Sequence, residues 1–449
     1  MALDEVDLLA RLGVKARARV RLLGERRVVW VELSDGSLAP PLTAQAGALW
    51  EEAVRTALRE RIPLVTVINS AGADIREGIA ALAGWGRVAR TLTEASGVIP
   101  TIAILDGPAV SGPALLLGMT DLTVATEGSY AFVNGPVMVR QFTGIDVSKE
   151  ELGSPSSLER NAGVPVAVVG DLAAACDMVE DLLAYLPDHA DEPPPPWPLA
   201  DPPDRLCPEA GDLIPASSTG SYDVRKVAEA IVDDGSLLEL RERWAGNVMT
   251  ALAAVGGRPI GIVANQPMNL AGTLDIPGSQ KAARFVAFCD AFNLPILTLV
   301  DTPGFYPGKD LEWRGMIRHG AQLVYAYANA TVPRICVILR KSYGGAYIVM
   351  DSKTMGNDVC LAWPWAELAV MGAGQAAAVL QRRATPEERA AFEADYAERL
   401  LNPYVAAERG YVDAVIDPAD TRREVAAALD LLATKRERLP RRKHGNTPL

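Results

Sequence analysis

The sequence contains few of the side chains that most often carry enzyme chemistry. Its 449 residues include three histidines and five cysteines, and neither residue type shows the paired spacing of a metal site. No Ser-His-Asp arrangement, no Walker GxxxxGK[ST] motif and no CxxC motif occurs. Cys289, Cys336 and Cys360 lie in apolar segments, which is typical of small core residues in a reducing compartment. The sequence therefore predicts no metal site and presents no persuasive side-chain catalyst.

Long apolar runs and an excess of positive charge are also lacking. Hydrophobic residues make up 49% of the chain, yet no apolar run reaches the roughly 18 residues that a membrane span needs. The N-terminal segment, residues 1–13, is acidic and mixed, unlike a secretory signal. A formal net charge of −12 argues against a nucleic-acid partner. We expect a cytoplasmic protein that buries its apolar residues in cores and subunit interfaces.

The sequence does contain an internal repeat of two strand-like segments. Residues 62–72 (IPLVTVINSAG) match residues 294–304 (LPILTLVDTPG) at an offset of 232. Residues 99–112 (IPTIAILDGPAVSG) match residues 332–345 (VPRICVILRKSYGG) at an offset of 233. Each segment is an apolar run of strand length that ends in a glycine-bearing turn. Two copies in the same order imply two similar domains.

The segments between these strands predict helices. Residues 78–95 and 314–330 carry apolar residues at helical spacing, so each copy has a strand-helix-strand pattern. Strands that are almost continuously apolar are typical of a parallel sheet buried on both faces, which predicts an α/β fold. A proline-rich stretch, residues 191–204, cannot form regular backbone hydrogen bonds. We place the domain boundary there and predict domains over residues 1–200 and 211–449.

The glycine turns are the most promising place for chemistry. Residues 109–113 (AVSGP) and 343–346 (YGGA) each lead from a predicted strand into a predicted helix. Glycine allows a ligand to approach the backbone, and the start of a helix leaves N–H groups without partners. Two such donors can form an oxyanion hole. By spacing alone, the alternative that these glycines only make tight turns stays open.

Several further segments carry a resemblance to a known family. They are residues 257–276 (GRPIGIVANQPMNLAGTLDI), 292–308 (FNLPILTLVDTPGFYPG), 340–350 (RKSYGGAYIVM), 355–364 (MGNDVCLAWP), 96–109 (SGVIPTIAILDGPA) and 142–153 (FTGIDVSKEELG). Together they closely resemble the carboxyltransferase β subunits of biotin-dependent acyl-CoA carboxylases. The resemblance implies two tandem crotonase-like domains of ββα spiral type, and the internal repeat independently suggests two similar domains.

The resemblance also implies an activity. In such enzymes carboxybiotin on a carrier releases CO2, the biotin ureido nitrogen takes a proton from the α-carbon of an acyl-CoA, and the enolate captures the CO2. The cofactor therefore supplies the base, and the protein supplies hydrogen-bond donors. By likeness, the N–H groups of Gly345 and Ala346 serve biotin, and those of Ser111 and Gly112 serve the thioester.

The implied substrate-binding residues lie close to these turns. They are Gly344, Tyr347, Ile348 and Gly72. Ile348 stands where propionyl-preferring members of the family tend to carry aspartate, at a position similar to one that lines the acyl pocket. We expect a different or larger acyl group, with an ordinary core role for Ile348 as the alternative.

The first half departs from the family pattern. Ser111 replaces one of two adjacent glycines, and Pro113 behind it has no N–H. Asp74 stands where the family has an arginine, and Thr354 in the second half stands where it has a histidine. Two alternatives to the carboxyltransferase remain. One is a decarboxylase of a carboxyacyl-CoA on the same fold, because the same enolate-binding hole serves both directions of the reaction. The other is a non-catalytic subunit of a carboxylase complex, because most of these changes fall in the predicted CoA-binding domain.

The resemblance implies partners as well. The chain has neither a biotin-attachment Met-Lys-Met motif nor an ATP-binding motif, so biotin carboxylase and a biotin carboxyl carrier are expected as separate subunits. The family places its active sites between the first domain of one subunit and the second domain of another. We therefore expect an oligomer, commonly a hexamer, either of this chain alone or mixed with a paralogous β subunit.

Overall fold

The computed structural model describes residues 5–7, 16–33, 39–198, 201–435 and 437–448. Its contacts divide the chain into two compact units: Met1–Pro195 with Arg241–Trp244, and Pro196–Leu240 with Ala245–Leu449. The division falls inside the proline-rich stretch, while the four residues from Arg241 belong to the first unit. The predicted end of the first domain, at residue 200, lies outside the described residues.

The first unit is an α/β layer structure. Its described strands are β1 (Glu5–Asp7), β2 (Arg17–Leu23), β3 (Arg26–Glu32), β4 (Leu64–Ser70), β5 (Thr101–Val110), β6 (Leu122–Thr126), β7 (Tyr130–Phe132) and β8 (Ala167–Val169). Its described helices are α1 (Ala44–Glu60), α2 (Ile79–Ala95), α3 (Gly112–Leu117), α4 (Pro136–Thr143), α5 (Lys149–Gly153), α6 (Pro155–Ala162) and α7 (Leu172–Leu183), with a 3₁₀ turn at Ile75–Glu77.

The second unit has the same architecture with more helices. Its described helices are α8 (Pro208–Asp212), α9 (Val224–Ile231), α10 (Ile276–Ala291), α11 (Lys309–Trp313), α12 (Met316–Asn329), α13 (Gly344–Val349), α14 (Ala373–Leu380), α15 (Pro386–Tyr396), α16 (Pro403–Glu408) and α17 (Thr421–Leu431). A π-helical turn covers Ala397–Leu401, and 3₁₀ turns cover Leu270–Gly272, Lys353–Met355 and Pro418–Asp420. Its described strands are β9 (Leu238–Leu240), β10 (Val248–Val255), β11 (Arg258–Asn265), β12 (Ile296–Thr302), β13 (Arg334–Tyr343), β14 (Val359–Ala362), β15 (Glu367–Ala369) and β16 (Ala414–Val415).

The two sheets have the same topology. The first runs β1-β2-β3-β4-β5-β6-β8, with β7 paired to β5, and the second runs β9-β10-β11-β12-β13-β14-β16, with β15 paired to β13. In each sheet the first three strands are antiparallel and the remaining pairs are parallel. The sequence prediction of two related α/β domains is confirmed by these sheets.

The repeat extends to single hydrogen bonds. The N–H of Gly72 lies 3.3 Å from Ser70 Oγ, and the N–H of Gly304 lies 3.3 Å from Thr302 Oγ1. The register of β4 on β5 shifts before Ser70, and that of β12 on β13 shifts before Thr302. Helices α1 and α10 begin at equivalent N-caps, Thr43 and Asp275, whose side chains accept from backbone N–H groups. Equivalent turns therefore end equivalent strands in both units.

Most of the predicted elements are present, with small differences at their ends. The helices predicted over residues 78–95 and 314–330 are α2 and α12. Strand β10, which is buried along its whole length, was not predicted, because its segment VMTALAAV contains three alanines beside three β-branched residues and so has no clear preference for strand. Among the described residues, no helix is long and apolar enough to cross a membrane.

Candidate active site

The corner between β13 and α13 is the first part of the candidate site. Gly344 adopts a φ of 61°, in the left-handed region that favours glycine. Tyr343 precedes the helix as its N-cap and makes no side-chain capping hydrogen bond. Because the first N–H groups of a helix have no intrahelical partner, Gly345 and Ala346 are the main-chain donors of this corner.

The corner opens onto an apolar cavity of about 540 Å³. Gly344, Gly345, Tyr347 and Ile348 form one wall, so four of the predicted site residues line a common space. The side chain of Ala346 is fully buried and lies outside the lining. The opposite walls consist mainly of hydrocarbon side chains: Leu368, Ala369, Leu400, Val405 and Ala406. The cavity can therefore hold a largely apolar group beside the first turn of α13.

Two tyrosines next to this corner have different surroundings. The Tyr343 hydroxyl donates to the Glu367 carboxylate on β15. The Tyr347 hydroxyl is buried and has no hydrogen-bond partner among the described residues. Burial raises the pKa of Tyr347 well above its ordinary value, so this hydroxyl stays a neutral donor. A buried hydroxyl without a partner is destabilising, which makes Tyr347 a candidate ligand-binding group.

A buried ion pair holds the ends of β12 and β13 together below the corner. Asp301 Oδ2 lies 2.9 Å from Arg340 Nη2 and 3.0 Å from Arg340 Nε. The same carboxylate accepts from the Lys341 N–H. The remaining guanidinium nitrogen of Arg340, Nη1, donates to the carbonyls of Ser217 and Gly220. Because charge-assisted bonds of this kind have defined geometry, they fix the strand from which α13 starts.

The equivalent corner of the first unit has fewer free donors. Ser111, the counterpart of Gly344, adopts a φ of 61° and a ψ of −119°. Its N–H donates to the carbonyl of Phe132 at 3.0 Å, since β7 pairs with β5 at this point. Pro113 has no N–H, which leaves Gly112 as the first uncommitted main-chain donor of α3. The expected pair of free donors at Ser111 and Gly112 is thus reduced to one.

Close contacts explain the glycines of this corner. A Cβ atom on Gly112 would lie 2.9 Å from the indole ring of Trp85, so no larger residue fits there without displacing the ring. Gly72 has a φ of 106°, and a Cβ on it would lie 3.3 Å from the Val110 carbonyl oxygen. Gly72 therefore closes the end of β4 against the end of β5, and the structure brings it close to the corner at Ser111.

Asp74, which the sequence resemblance singles out as a departure from the family pattern, makes a local ion pair. Its carboxylate accepts from Arg76 Nε at 2.9 Å and from Arg76 Nη2 at 2.7 Å. These hydrogen bonds lower the pKa of Asp74. The carboxylate therefore remains ionised and caps the 3₁₀ turn before α2, so the substitution gives this turn an acidic cap.

Part of the cavity wall could not be recognised in the sequence. Arg409 and Tyr411 line the cavity, although they follow α16 about sixty residues after the corner in the chain. No motif links them to the corner, because the contact depends on how α16 packs against β15. Among the described residues, no group of three or more histidine, cysteine or acidic side chains is arranged to hold a metal ion.

The two repeated sheets, each with a corner that leads from a strand into a helix, define a two-domain α/β fold. Residues 27–447 match the family model described as the carboxyl transferase domain. This match covers most of the chain, so the protein belongs to the carboxyl transferase family.

Individual relatives agree with this assignment. The chain is 46% identical to the propionyl-CoA carboxylase beta chain of Saccharopolyspora erythraea, over 88% of this chain and 76% of the relative. It is 40% identical to the methylmalonyl-CoA decarboxylase subunit alpha of Veillonella parvula, over 95% of this chain and 86% of the relative. A crystal structure of hexameric transcarboxylase 12S with hydrolysed methylmalonyl-coenzyme A bound superposes with a TM-score of 0.94 at 40% identity, covering 97% of this chain and 85% of that one.

Proposed function

We propose that this chain is the carboxyltransferase subunit of a biotin-dependent acyl-CoA carboxylase. It moves a carboxyl group from carboxybiotin to the α-carbon of an acyl-CoA. The observation that carries the proposal is the Gly344–Gly345 corner, which opens onto an apolar cavity in a member of the carboxyl transferase family. Main-chain donors at such a corner stabilise negative oxygen atoms without a catalytic side chain.

The residues of the second corner suit biotin, a mainly apolar bicyclic group with one strongly accepting ureido oxygen. When bound, biotin supplies the carboxyl group and a nitrogen that can accept a proton. The N–H groups of Gly345 and Ala346 would donate to the ureido oxygen. The hydrocarbon walls of the cavity, among them Ile348 and Leu368, exclude water and so strengthen these hydrogen bonds.

At the first corner, the protein has to hold a thioester oxygen that becomes negative. We assign this role to the N–H of Gly112, with Ser111 and Gly72 as neighbouring binding residues. A single main-chain donor gives less stabilisation than two, since each oxyanion-hole donor is worth about 10²- to 10³-fold in rate. The first corner is therefore the weaker of the two sites.

The Ile348 side chain is the basis for our proposal about the acyl group of the substrate. Its side chain lines the cavity beside Gly345, where a hydrocarbon surface favours an apolar substituent on the substrate. We propose an acyl group that differs from propionyl or is larger.

The remaining partners complete the proposal. Biotin carboxylase and a biotin carboxyl carrier would be separate subunits. The chain would assemble as a hexamer, alone or with a paralogous β subunit; the solved structure of transcarboxylase 12S is likewise described as a hexamer. The cytoplasmic location expected from the sequence stays a prediction.

Two other functions have a specific observation behind them. Decarboxylation of a carboxyacyl-CoA is suggested by the relative from Veillonella parvula, and it would release CO2 without ATP. A non-catalytic role is suggested by the N–H of Ser111, which already donates to the Phe132 carbonyl and cannot serve a substrate. In that case calorimetry would detect no binding of acyl-CoA.

The test is a reconstituted reaction. The chain is combined with biotin carboxylase, a biotinylated carrier, ATP, bicarbonate and a panel of acyl-CoA thioesters of increasing chain length. The proposal predicts α-carboxylated products that require the carrier. It is contradicted if no thioester of the panel is carboxylated while the same partners support a known carboxyltransferase.

A further inference from the structure

The cavity beside α13 has one charged side chain among its described lining residues, that of Arg409. Arg409 follows α16 as its C-cap and is exposed. Among the described residues, its guanidinium group has no ion pair and no hydrogen-bond partner. A cation at the edge of an apolar cavity, with no counter-ion in the described part of its own chain, is free to pair with an anion that enters the cavity.

The Tyr347 hydroxyl is a second, independent indication of a ligand. The Tyr347 side chain lines the same cavity, and its hydroxyl is buried and lacks a hydrogen-bond partner within the described parts of the chain. Because a buried donor without a partner is unfavourable, a ligand oxygen that accepts from Tyr347 would remove this penalty. The cavity thus presents a full positive charge on otherwise apolar walls, and one of its lining residues carries a buried donor without a partner.

These groups select among ligand chemistries. Hydrocarbon walls favour an apolar body, and a guanidinium group favours a carboxylate, which it binds through two parallel hydrogen bonds. A neutral acyl thioester has the apolar body but gives Arg409 nothing to bind. A carboxylated ligand satisfies both parts of the cavity.

We infer that Arg409, assisted by the Tyr347 hydroxyl, binds the carboxylate group that is being transferred. This inference rests on the proposed function, in which the carboxylate is present on two molecules, carboxybiotin and the carboxylated acyl-CoA. Arg409 is a binding residue here, since it distinguishes the carboxylated form of a substrate from the neutral form.

Titration calorimetry on the full chain tests this role directly. The dissociation constants of acetyl-, propionyl- and butyryl-CoA are compared with those of malonyl-, methylmalonyl- and ethylmalonyl-CoA. In Arg409→Gln, we expect about a 10- to 100-fold loss of affinity for the carboxylated thioesters and no change for the neutral ones, since hydrogen bonds to charged groups are this strong. Arg409→Lys keeps the positive charge, so we expect a smaller loss of affinity for the carboxylated thioesters.

Further variants separate binding from folding. Tyr347→Phe removes a buried hydroxyl without a partner, so we expect unchanged or higher thermal stability together with weaker binding of the carboxylated thioesters. Arg383→Gln, an exposed arginine outside the cavity, serves as the matched control and leaves all affinities unchanged.

A kinetic measurement identifies the source of the carboxylate. In the reconstituted complex, the KM for the carboxylated carrier is compared with the KM for the uncarboxylated carrier in the reverse direction. If Arg409→Gln raises the KM for the carboxylated carrier alone and leaves thioester binding unchanged, Arg409 binds the carboxylate of carboxybiotin. The inference is overturned if Arg409→Gln weakens the binding of carboxylated and neutral thioesters equally. It is also overturned if the variant changes neither the affinity for carboxylated thioesters nor the KM for the carboxylated carrier selectively. The proposed function itself fails only if the wild-type chain forms no carboxylated product.

Discussion

Ser111 is the residue at which the two repeated corners differ most clearly. It has the same φ, 61°, as its glycine counterpart Gly344, although a side chain makes this region of backbone space unfavourable by about 1–3 kcal/mol. The chain therefore tolerates strain at the first corner that the second corner avoids.

Replacing Ser111 by glycine should stabilise the protein. We expect Ser111→Gly to raise the free energy of unfolding by about 1 kcal/mol, because the relief of strain exceeds the added entropy of glycine in the unfolded chain. Urea-induced unfolding measures the change. An equal or lower midpoint for the variant would show that Ser111 is not strained.

Asp351 is the residue through which pH should act on stability. It is fully buried beside Arg334, whose Nη1 lies 2.5 Å from Asp351 Oδ1. Burial raises the pKa of Asp351 to about 7, and Arg334 opposes this rise. The folded state then holds a proton more tightly than the unfolded state, in which an aspartate has a pKa near 3.9.

The consequence is a loss of stability as the pH rises. The contribution of this proton to the free energy of unfolding is fully present below about pH 4 and is lost as the pH rises through about 7. The free energy of unfolding then falls by at most about 1.4 kcal/mol per pH unit. Relative to Asp351→Asn, which does not titrate, wild type should lose stability between about pH 4 and pH 7 and change little above that range. A difference between the two proteins that is independent of pH would contradict this assignment.

At the scale of elements, the contact between α1 and α2 depends on two glycines. A Cβ on Gly47 would lie 2.7 Å from the backbone of Gly84, so the helices are too close for a side chain. Gly86 lies on the same helix as Gly84, and a Cβ on it would have no atom within 4 Å.

These glycines provide a matched pair of variants. Gly47→Ala should separate the helices and destabilise the protein by about 1–3 kcal/mol, because overpacking forces backbone shifts. Gly86→Ala should stabilise it by up to about 1 kcal/mol through helix propensity alone. Thermal unfolding distinguishes the two, and similar shifts for both variants would show that the helices can move apart freely.

The sequence was a good guide to elements where a period or a turn was repeated. When the two halves of the sequence are aligned with offsets of 232 and 233 residues, β4 matches β12 and β5 matches β13 from the first residue of each strand to the last. Strand β10 was not predicted because its alanines favour a helix when the segment is considered alone. It forms a strand because it pairs with both β9 and β11.

The site could be predicted only in part, for a similar reason. The glycine corners follow from local sequence, and four of the predicted residues line one cavity. The hydrogen bond from Ser111 to Phe132 depends on pairing between β5 and β7, and the place of Arg409 depends on how α16 packs. Neither contact has a local pattern, because both join segments that are distant in sequence.

At the scale of the whole molecule, the surface carries large apolar side chains. Phe142 and Ile317 are each 81% exposed, and Trp313 is 75% exposed. Trp313 and Ile317 are four residues apart, and apolar side chains that form a common surface are often covered in an assembly. This fits the proposed hexamer.

The assembly can be measured by sedimentation equilibrium. We expect a mass of about six times the 47.8 kDa chain, and a smaller species for Ile317→Glu, because a charge within an apolar contact is unfavourable. A monomer at micromolar concentration would contradict the proposed assembly.

In the proposed mechanism, main-chain N–H groups at the second corner, rather than a side chain, stabilise the reacting oxygen. Ala346→Pro tests this role, because proline removes one N–H while the first unit already accepts proline at the equivalent position, Pro113. In the reconstituted carboxylase reaction, we expect a kcat that is lower by about 10²- to 10³-fold, with unchanged thermal unfolding. A variant that folds normally and keeps the wild-type kcat would contradict the claim.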